Sequence, residues 1–154
     1  MLPRVAQRTH ARGRSLLETT NGGESFTQLP APMFKVLKAV WGSSASELFV
    51  VGTDGFIGKS TNAGQAWTTL RSSSDGGVQL TLNGIWGDAS GIFVVGDTGT
   101  ILRSTNRMTF DRVALSTTIP LAAVYGTGQS VFAVGSAGTI LRTKDREKWD
   151  LLTT

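Results

Sequence analysis

The sequence predicts an all-β fold in which a four-stranded antiparallel unit repeats about three and a half times. Three segments, which start at Leu37, Leu82 and Leu121, align along their whole length. The chain holds 19 glycines in 154 residues, and this surplus favours the many tight turns of an all-β protein. No apolar period of about 3.6 residues, which would indicate helices, persists in any segment.

Each full unit divides into four short strands. Strand one ends in an aromatic residue followed by glycine, so that Trp41, Trp86 and Tyr125 are equivalent. Strand two is a β-branched run that ends in a G-x-x-G turn, as at 52–55, where glycine is expected to supply a positive φ. Short connections lead to strands three and four and make neighbouring strands antiparallel. A partial copy from Arg14 matches only the second half of a unit.

Repeated four-stranded units of about 40 residues are the signature of β-propeller blades. The third position of strand one is always small (Ala39, Gly84 and Ala123), which suits strands that crowd toward a propeller axis. A stacked sandwich is the alternative, but it would not explain the repetition. The expected organisation is a partial propeller: a disordered basic arm at 1–13, a half blade at 14–33, and blades at 34–79, 80–118 and 119–154.

The net charge of +4 comes from the first fourteen residues, which hold four arginines and no acid. A nucleic-acid-binding protein would spread a basic face across its fold, so nucleic acid is not an expected partner. The arm is interpreted as a disordered tail or as upstream residues of a longer protein. Contact with an anionic surface and a transit-type peptide are the alternatives.

Composition excludes several other classes. The chain has no cysteine, which rules out disulfides, zinc–thiolate sites and cysteine nucleophiles. No apolar run approaches the ~18 residues of a membrane span, and the first 30 residues lack the apolar stretch of a signal peptide. The compartment is left open.

A second motif, S/T-x-D/N-x-G-x-x-aromatic, joins strands three and four. The Asn or Asp can accept backbone N–H bonds within the turn, and the aromatic residue holds the hairpin on its blade. The two later copies are one residue shorter, with Met108 and Glu147 at the glycine position. The motif is expected to build the turn and to perform no chemistry. Its residues are Thr19, Asn21, Gly23 and Phe26, then Ser60, Asn62, Gly64 and Trp67, then Ser104, Asn106 and Phe110, and last Thr143, Asp145 and Trp149.

These turns resemble the Asp-boxes of the BNR propeller superfamily. The closer likeness is to the photosystem II assembly and stability factor family and its relatives in non-photosynthetic bacteria. FVVGTDGFIGKSTNAGQAW, at 49–67, and VFAVGSAGTILRTKDREKW, at 131–149, match the repeat unit of that family. The resemblance covers 14–152 and implies a non-catalytic scaffold that binds other proteins. Family members usually have seven blades, and full-length relatives are often exported.

The chain departs from that family in holding only about three and a half blades. Its WGSS and WGDAS turns also resemble propeller repeats of large bacterial surface or secreted proteins. A photosynthetic role therefore does not follow from the resemblance.

Sialidases also carry Asp-boxes, so a carbohydrate-binding or sialidase-like glycoside hydrolase fragment is the alternative function. Resemblance to those enzymes would imply an arginine triad, a tyrosine paired with glutamate and a further acid. The single tyrosine, Tyr125, stands where other blades have tryptophan and is expected to be a core aromatic residue. The single histidine, His10, lies in the arm, which excludes a histidine-based triad. We therefore expect no enzymatic activity, metal or cofactor.

Each full repeat unit has one basic residue just before its Asp-box turn: Lys59, Arg103 and Arg142. Either their stems pack along the blades with their heads solvated or paired, or they form a ring that binds anions.

A second set of candidate residues lies in loops. The links between blades should lie beside the turns that join strands two and three, and the link at 71–81 is the longest. Arg71, Asp75 and Asp97 are therefore candidates for partner binding. The expected partner is another protein, further blades of a longer chain, or a second copy in a homodimer.

Overall fold

The computed structural model describes residues 10–12, 15–32, 35–72 and 80–152. These residues form four antiparallel sheets, one of three strands and three of four strands. Outside the strands, the regular structure in these ranges consists of single 3-10 turns at Thr53–Gly55 and Ser136–Gly138. The predicted all-β class and the four-stranded repeat are confirmed.

The sheets are numbered as blades 1 to 4 in chain order. Blade 1 contains β1 (His10–Arg12), β2 (Ser15–Glu18) and β3 (Thr27–Leu29). Blade 2 contains β4 (Leu37–Gly42), β5 (Leu48–Gly52), β6 (Ile57–Ser60) and β7 (Thr68–Arg71). Blade 3 contains β8 (Leu82–Asp88), β9 (Gly91–Gly96), β10 (Thr100–Ser104) and β11 (Asp111–Arg112). Blade 4 contains β12 (Leu121–Thr127), β13 (Ser130–Gly135), β14 (Ile140–Thr143) and β15 (Asp150–Leu151).

Blade 1 extends further toward the N-terminus than the sequence predicts. Residues 10–12 belong to the arm expected to be disordered, yet they pair with β2 in the register His10↔Leu17 and Arg12↔Ser15. A strand at a sheet edge needs only backbone partners, so a short stretch without an apolar pattern can still join the ladder. Residues 1–9 and 13–14 lie outside the described ranges.

The first strands of blades 2, 3 and 4 lie against one another, since β8 contacts both β4 and β12. Each of the three contains a register shift next to its first residue, after Leu37, Leu82 and Leu121. A Cβ added to Gly84 would come within 3.1 Å of the Ala123 Cα, which shows how closely two inner strands approach. The small residue predicted for this position is therefore required by the packing in β8.

Side chains alternate between the two faces of each blade. In β5, Val50 packs toward blade 1, whereas Phe49 and Val51 pack toward blade 3. Every residue of β5 and of β9 is buried, because both faces of these blades are covered. This explains the continuous apolar runs, which a sheet with one face in solvent would not need.

The aromatic residue at the end of strand one occupies an equivalent place in three blades. Trp41, Trp86 and Tyr125 lie opposite the phenylalanines of strand two. The ring of one blade lies over the glycine of the next: a Cβ on Gly87 would be 2.9 Å from the Trp41 ring, and one on Gly126 would overlap the Trp86 ring. The aromatic–glycine pair is thus a contact between blades.

Tyr125 is more exposed than the equivalent Trp41 and Trp86, which are half-buried. Its side chain is 67% exposed, and its ring contacts Trp86 at a centroid distance of 6.2 Å. The expectation of a core aromatic residue is wrong here, because no blade follows blade 4 in the described part of the chain to cover it.

The two glycines of the G-x-x-G turn are required for different reasons. The second glycine has a positive φ, 64° at Gly55 and 69° at Gly138, as predicted. The first is extended, with a φ of −153° at Gly135, so the prediction of a positive φ is wrong there. A Cβ on Gly135 would collide with the carbonyl oxygen of Pro120, which accepts a hydrogen bond of 3.0 Å from the Ser136 N–H.

Candidate interaction groove

The four turns that join strands three and four share one hydrogen-bond arrangement. At the second turn the buried Ser60 hydroxyl donates to Asn62 Oδ1 over 2.9 Å and accepts from the Gly64 N–H. Asn62 Oδ1 also accepts from the Ala66 N–H at 2.8 Å. Thr19, Ser104 and Thr143 donate to Asn21, Asn106 and Asp145 in the same way. The hydroxyl, amide and carboxylate oxygens of these side chains make their hydrogen bonds within the turns, which fits a structural role.

In the shorter turns, the positive φ falls one residue earlier than the sequence alignment suggests. Arg107 has a φ of 61° and Arg146 a φ of 67°, whereas Met108 and Glu147 have no positive φ. An arginine in the left-handed region is uncommon, and here its side chain points back onto the preceding blade. The interpretation that Met108 and Glu147 replace the glycine is therefore corrected.

Arg146 joins blade 4 to blade 3. Its guanidinium donates to both carboxylate oxygens of Asp88, at 2.8 and 2.5 Å, and lies 5.9 Å from the centroid of the Trp86 ring. The Arg146 hydrogen bonds outweigh the effect of burial and lower the pKa of Asp88, and the same pairing raises the pKa of Arg146. Bidentate pairs of this kind are the strong form of a salt bridge.

Arg107 joins blade 3 to blade 2 in the same way. It lies 2.8 Å from Glu47 Oε2, and Lys59 lies 2.9 Å from Glu47 Oε1. Burial opposes ionisation of Glu47, but hydrogen bonds from Ser43 and Lys59 and the two positive charges prevail and lower its pKa. We call the Asp88–Arg146 and Glu47–Arg107 pairs the interblade clamps.

The three basic residues predicted as a possible anion ring lie in separate places. Lys59 is held at the junction of blades 2 and 3 by Glu47, with its Nζ 5.3 Å from the centroid of the Phe49 ring. Arg103 lies between blades 3 and 4, above Phe93 and 3.9 Å from Glu147. Lys59 follows the interpretation of a packed stem with a paired head, whereas Arg103 has a packed stem and only a long contact with Glu147. Arg142 has a buried Nε without a hydrogen-bond partner among the described residues.

The loop candidates are only partly described. The links between blades do lie against the turns of strands two and three, since Asp97 N–H donates to the Thr81 carbonyl at 2.9 Å. Both carboxylate oxygens of Asp97 accept internal bonds, from the Thr81 N–H and from Asn83 Nδ2. Arg71 is half-buried at the end of β7, and Asp75 lies outside the described residues. Asp97 therefore positions the start of β8.

Two neighbouring pockets share Arg112, Val113 and Ala114 on the outer side of blade 3. Their volumes are about 340 and 350 Å³. We call them together the β11 groove. Its remaining lining residues are Thr98, Gly99, Arg103, Thr105, Asp111, Leu115, Thr117, Thr118, Arg146 and Glu147.

The charges in the β11 groove are not all paired closely. Arg112 is exposed and has no ion pair or hydrogen bond through its side chain with the described residues. Among the described residues, the Arg103 guanidinium lies over the Phe93 ring and has one carboxylate within 4 Å, that of Glu147, whose side chain is 74% exposed. Sequence reasoning missed Arg112, because an exposed arginine on a two-residue strand gives no repeat or motif signal. In the β10–β11 ladder, Arg103 pairs with Asp111 and Arg112 pairs with Leu102, so the two arginines border one groove although their side chains leave opposite faces of the sheet.

Two further negative observations hold for residues 10–12, 15–32, 35–72 and 80–152. No group of three His, Asp or Glu side chains there could hold a metal ion. Nor does any helix in those ranges have the length and apolar character that a membrane crossing requires.

Comparison with known proteins gives a fold and no family. No family model matches the sequence, and no curated protein matches it. Among solved structures, virginiamycin B lyase from Staphylococcus aureus is similar, with a TM-score of 0.75 and 16% identity over 94% of this chain and 50% of the lyase. YCF48 bound to a D1 peptide is also similar, with a TM-score of 0.70 and 19% identity over 82% of this chain and 41% of YCF48.

The chain is a partial β-propeller. YCF48 from Cyanidioschyzon merolae gives a TM-score of 0.68 at 23% identity, and the GH74 enzyme from Niastella koreensis gives 0.64 at 18% identity. This chain spans half or less of each of these proteins: 42% of the former and 25% of the latter. At such sequence identities the similarity concerns the fold alone. The similar structures include two enzymes and a protein bound to a peptide.

Proposed function

We propose that this partial propeller is a non-catalytic module that binds a segment of another protein in the β11 groove. The observation that carries the proposal is that Arg103 and Arg112 have no close carboxylate partner among the described residues. Lys35, Lys59 and Arg146 each have a carboxylate oxygen within 2.9 Å, whereas these two groove arginines have none. Arginines that lack close partners in an open groove are available for a ligand.

The expected ligand is an extended, acidic peptide segment. Guanidinium groups bind carboxylates through paired N–H donors, and a ligand carboxylate can replace the exposed Glu147 beside Arg103. The strand β11 lies at the outer edge of its sheet, so one side of its backbone is free to pair with an added strand. Peptide addition at such an edge combines backbone hydrogen bonds with side-chain recognition.

One further point supports this class of function. YCF48, which has a similar fold, has been solved with a D1 peptide. Carbohydrate binding or hydrolysis is the alternative function, and the experiment distinguishes it from peptide binding.

The experiment measures binding of fluorescent peptides of about ten residues by anisotropy. An Asp/Glu-rich peptide is compared with its Asn/Gln counterpart, and a glycan array and a fluorogenic sialoside are run in parallel. We expect the acidic peptide to bind at least about tenfold more tightly, and Arg112→Ala to weaken it by about tenfold.

The matched control is Lys144→Ala, which removes one positive charge from an exposed turn outside the groove. Its affinity should stay within about twofold of the parent protein. Equal loss in both variants would mean that only net charge matters and would refute the groove. Sialoside turnover, or glycan binding in place of peptide binding, would replace the proposal with the carbohydrate function.

A further inference from the structure

The two ends of the blade array expose side chains that the internal junctions bury. On the outer face of blade 4, Tyr125 is 67%, Val134 41% and Ile140 38% exposed. The equivalent residues Val95 and Ile101 of blade 3 are fully buried, because blade 4 covers them. Blade 4 therefore presents a face shaped to receive another blade.

The opposite end presents a matching aromatic residue. The aromatic residue that closes each strand three–four turn packs on the preceding blade: Trp149 lies edge-on to Phe93 at a centroid distance of 5.6 Å. Trp67 likewise reaches blade 1, where its Nε1 donates to the Pro30 carbonyl at 2.9 Å. Phe26 occupies this position in blade 1 and is 50% exposed. On blade 4, Phe132 stands where Phe93 stands on blade 3.

Charge at the two ends is also complementary. At the junction of blades 3 and 4, Arg103 faces Glu147, which lies two residues before the aromatic Trp149. Blade 4 carries Arg142 at the equivalent of Arg103, with a buried Nε that has no partner in the described chain. Blade 1 carries the exposed Glu24 two residues before Phe26. One chain therefore holds both halves of a further junction, at its opposite ends.

We infer that two copies of this chain associate head to tail, with blade 1 of each copy on blade 4 of the other. Phe26 then packs on Phe132, and Glu24 pairs with Arg142. A two-fold arrangement of such heterologous contacts closes into a ring and leaves neither end exposed. The length comparison agrees, since one chain spans 50% of the propeller lyase. The inference is independent of the β11 groove.

The experiment measures the molar mass of the full chain by size-exclusion chromatography with light scattering, from about 1 µM to about 1 mM. We expect a species of twice 16.3 kDa. Glu24→Arg and Arg142→Glu should each give monomer, because each places like charges together at both contacts. An equimolar mixture of the two variants should restore the dimer, since both of its contacts again join opposite charges.

The control Lys38→Glu changes an exposed charge on the internal blade 2, outside the proposed contact, and should remain dimeric. Circular dichroism confirms that each variant is folded, and if Arg142→Glu is not, the exposed Glu24→Arg variant decides the matter alone. A parent protein that is monomeric throughout, a ladder of larger species, a Glu24→Arg variant that stays dimeric, or a mixture of folded variants that stays monomeric would each overturn the inference.

Discussion

At the scale of the residue, glycine positions are set by two different constraints that look alike in the sequence. The second glycine of each G-x-x-G turn follows a residue that also has a positive φ, such as Ala137 at 54°. The first glycine is extended and is required because a carbonyl oxygen occupies the space of its Cβ. Backbone conformation decides one position, and contact with a neighbouring segment decides the other.

Gly135→Ala and Gly138→Ala form a matched pair that separates these constraints. Gly135→Ala should lower the free energy of unfolding by about 3 kcal/mol, because the new methyl group meets the Pro120 carbonyl oxygen. Gly138→Ala should cost only about 1 kcal/mol, since its φ is 69° but nothing lies within 4 Å of the added Cβ. Urea denaturation measures both. A larger loss for Gly138→Ala would show that turn conformation, not contact, dominates.

At the scale of the element, neighbouring blades share an apolar junction, and the junctions of blades 2 and 3 and of blades 3 and 4 also carry a clamp at one rim. Each clamp is formed by an arginine whose positive φ directs its side chain back toward the preceding blade. Blade 2 has Ala63 at this position, with a similar φ of 57°, and no clamp joins it to blade 1 among the described residues. The turn therefore tolerates several residues, and the clamp is an addition to the turn.

The clamps make stability depend on acid pH. The pKa of Asp88 is lowered by Arg146 and that of Glu47 by its hydrogen bonds and cationic neighbours, so both contribute stability while ionised. That contribution is complete above the carboxyl pKa of the unfolded chain, about 4, and disappears as the pH falls through the lower folded values. Asp88→Asn should lower stability at pH 7 and reduce the loss between about pH 5 and pH 2.

Thermal denaturation across that pH range provides the measurement. Asp150→Asn, which removes an exposed carboxylate that belongs to neither clamp, is the matched control and should follow the parent protein. An identical pH profile for Asp88→Asn and the parent would show that the clamp contributes no stability.

At the scale of the whole molecule, equivalent residues of the same type differ in solvent exposure between successive blades. Val95 and Val134 both lie in strand two opposite the small residue of strand one. Val95 is fully buried by blade 4, whereas Val134 is 41% exposed. Position in the array, and not the repeat sequence, sets the environment of a residue.

Replacement of each valine with threonine measures this difference. Val95→Thr should lower the free energy of unfolding by about 1–3 kcal/mol, because its hydroxyl is buried in an apolar junction. Val134→Thr should change it by less than about 0.5 kcal/mol when the protein is dilute enough to be monomeric. Equal effects, measured by urea denaturation at that concentration, would contradict a solvent-exposed outer face on blade 4.

Much of this architecture can be predicted from the sequence because each blade is a local unit. The strands, the turns and the equivalence of Trp41, Trp86 and Tyr125 follow from a pattern that repeats within about 40 residues. The candidate groove could not be found in this way. Arg112 borders the same groove as Arg103 only because β11 pairs with β10, and the contact between Glu147 of blade 4 and Arg103 of blade 3 depends on the packing between sheets.

The sequence by itself therefore determined the repeating blade, since backbone hydrogen bonding and turn conformation are decided by neighbours along the chain. Only the tertiary structure decided which faces are covered, which arginines are paired and that residues 10–12 form a strand. These properties depend on what lies across a junction between sheets, and a chain of near-identical repeats carries little information about where its array begins and ends. Burial and charge pairing are properties of the junction, whereas the blade is a property of the repeat.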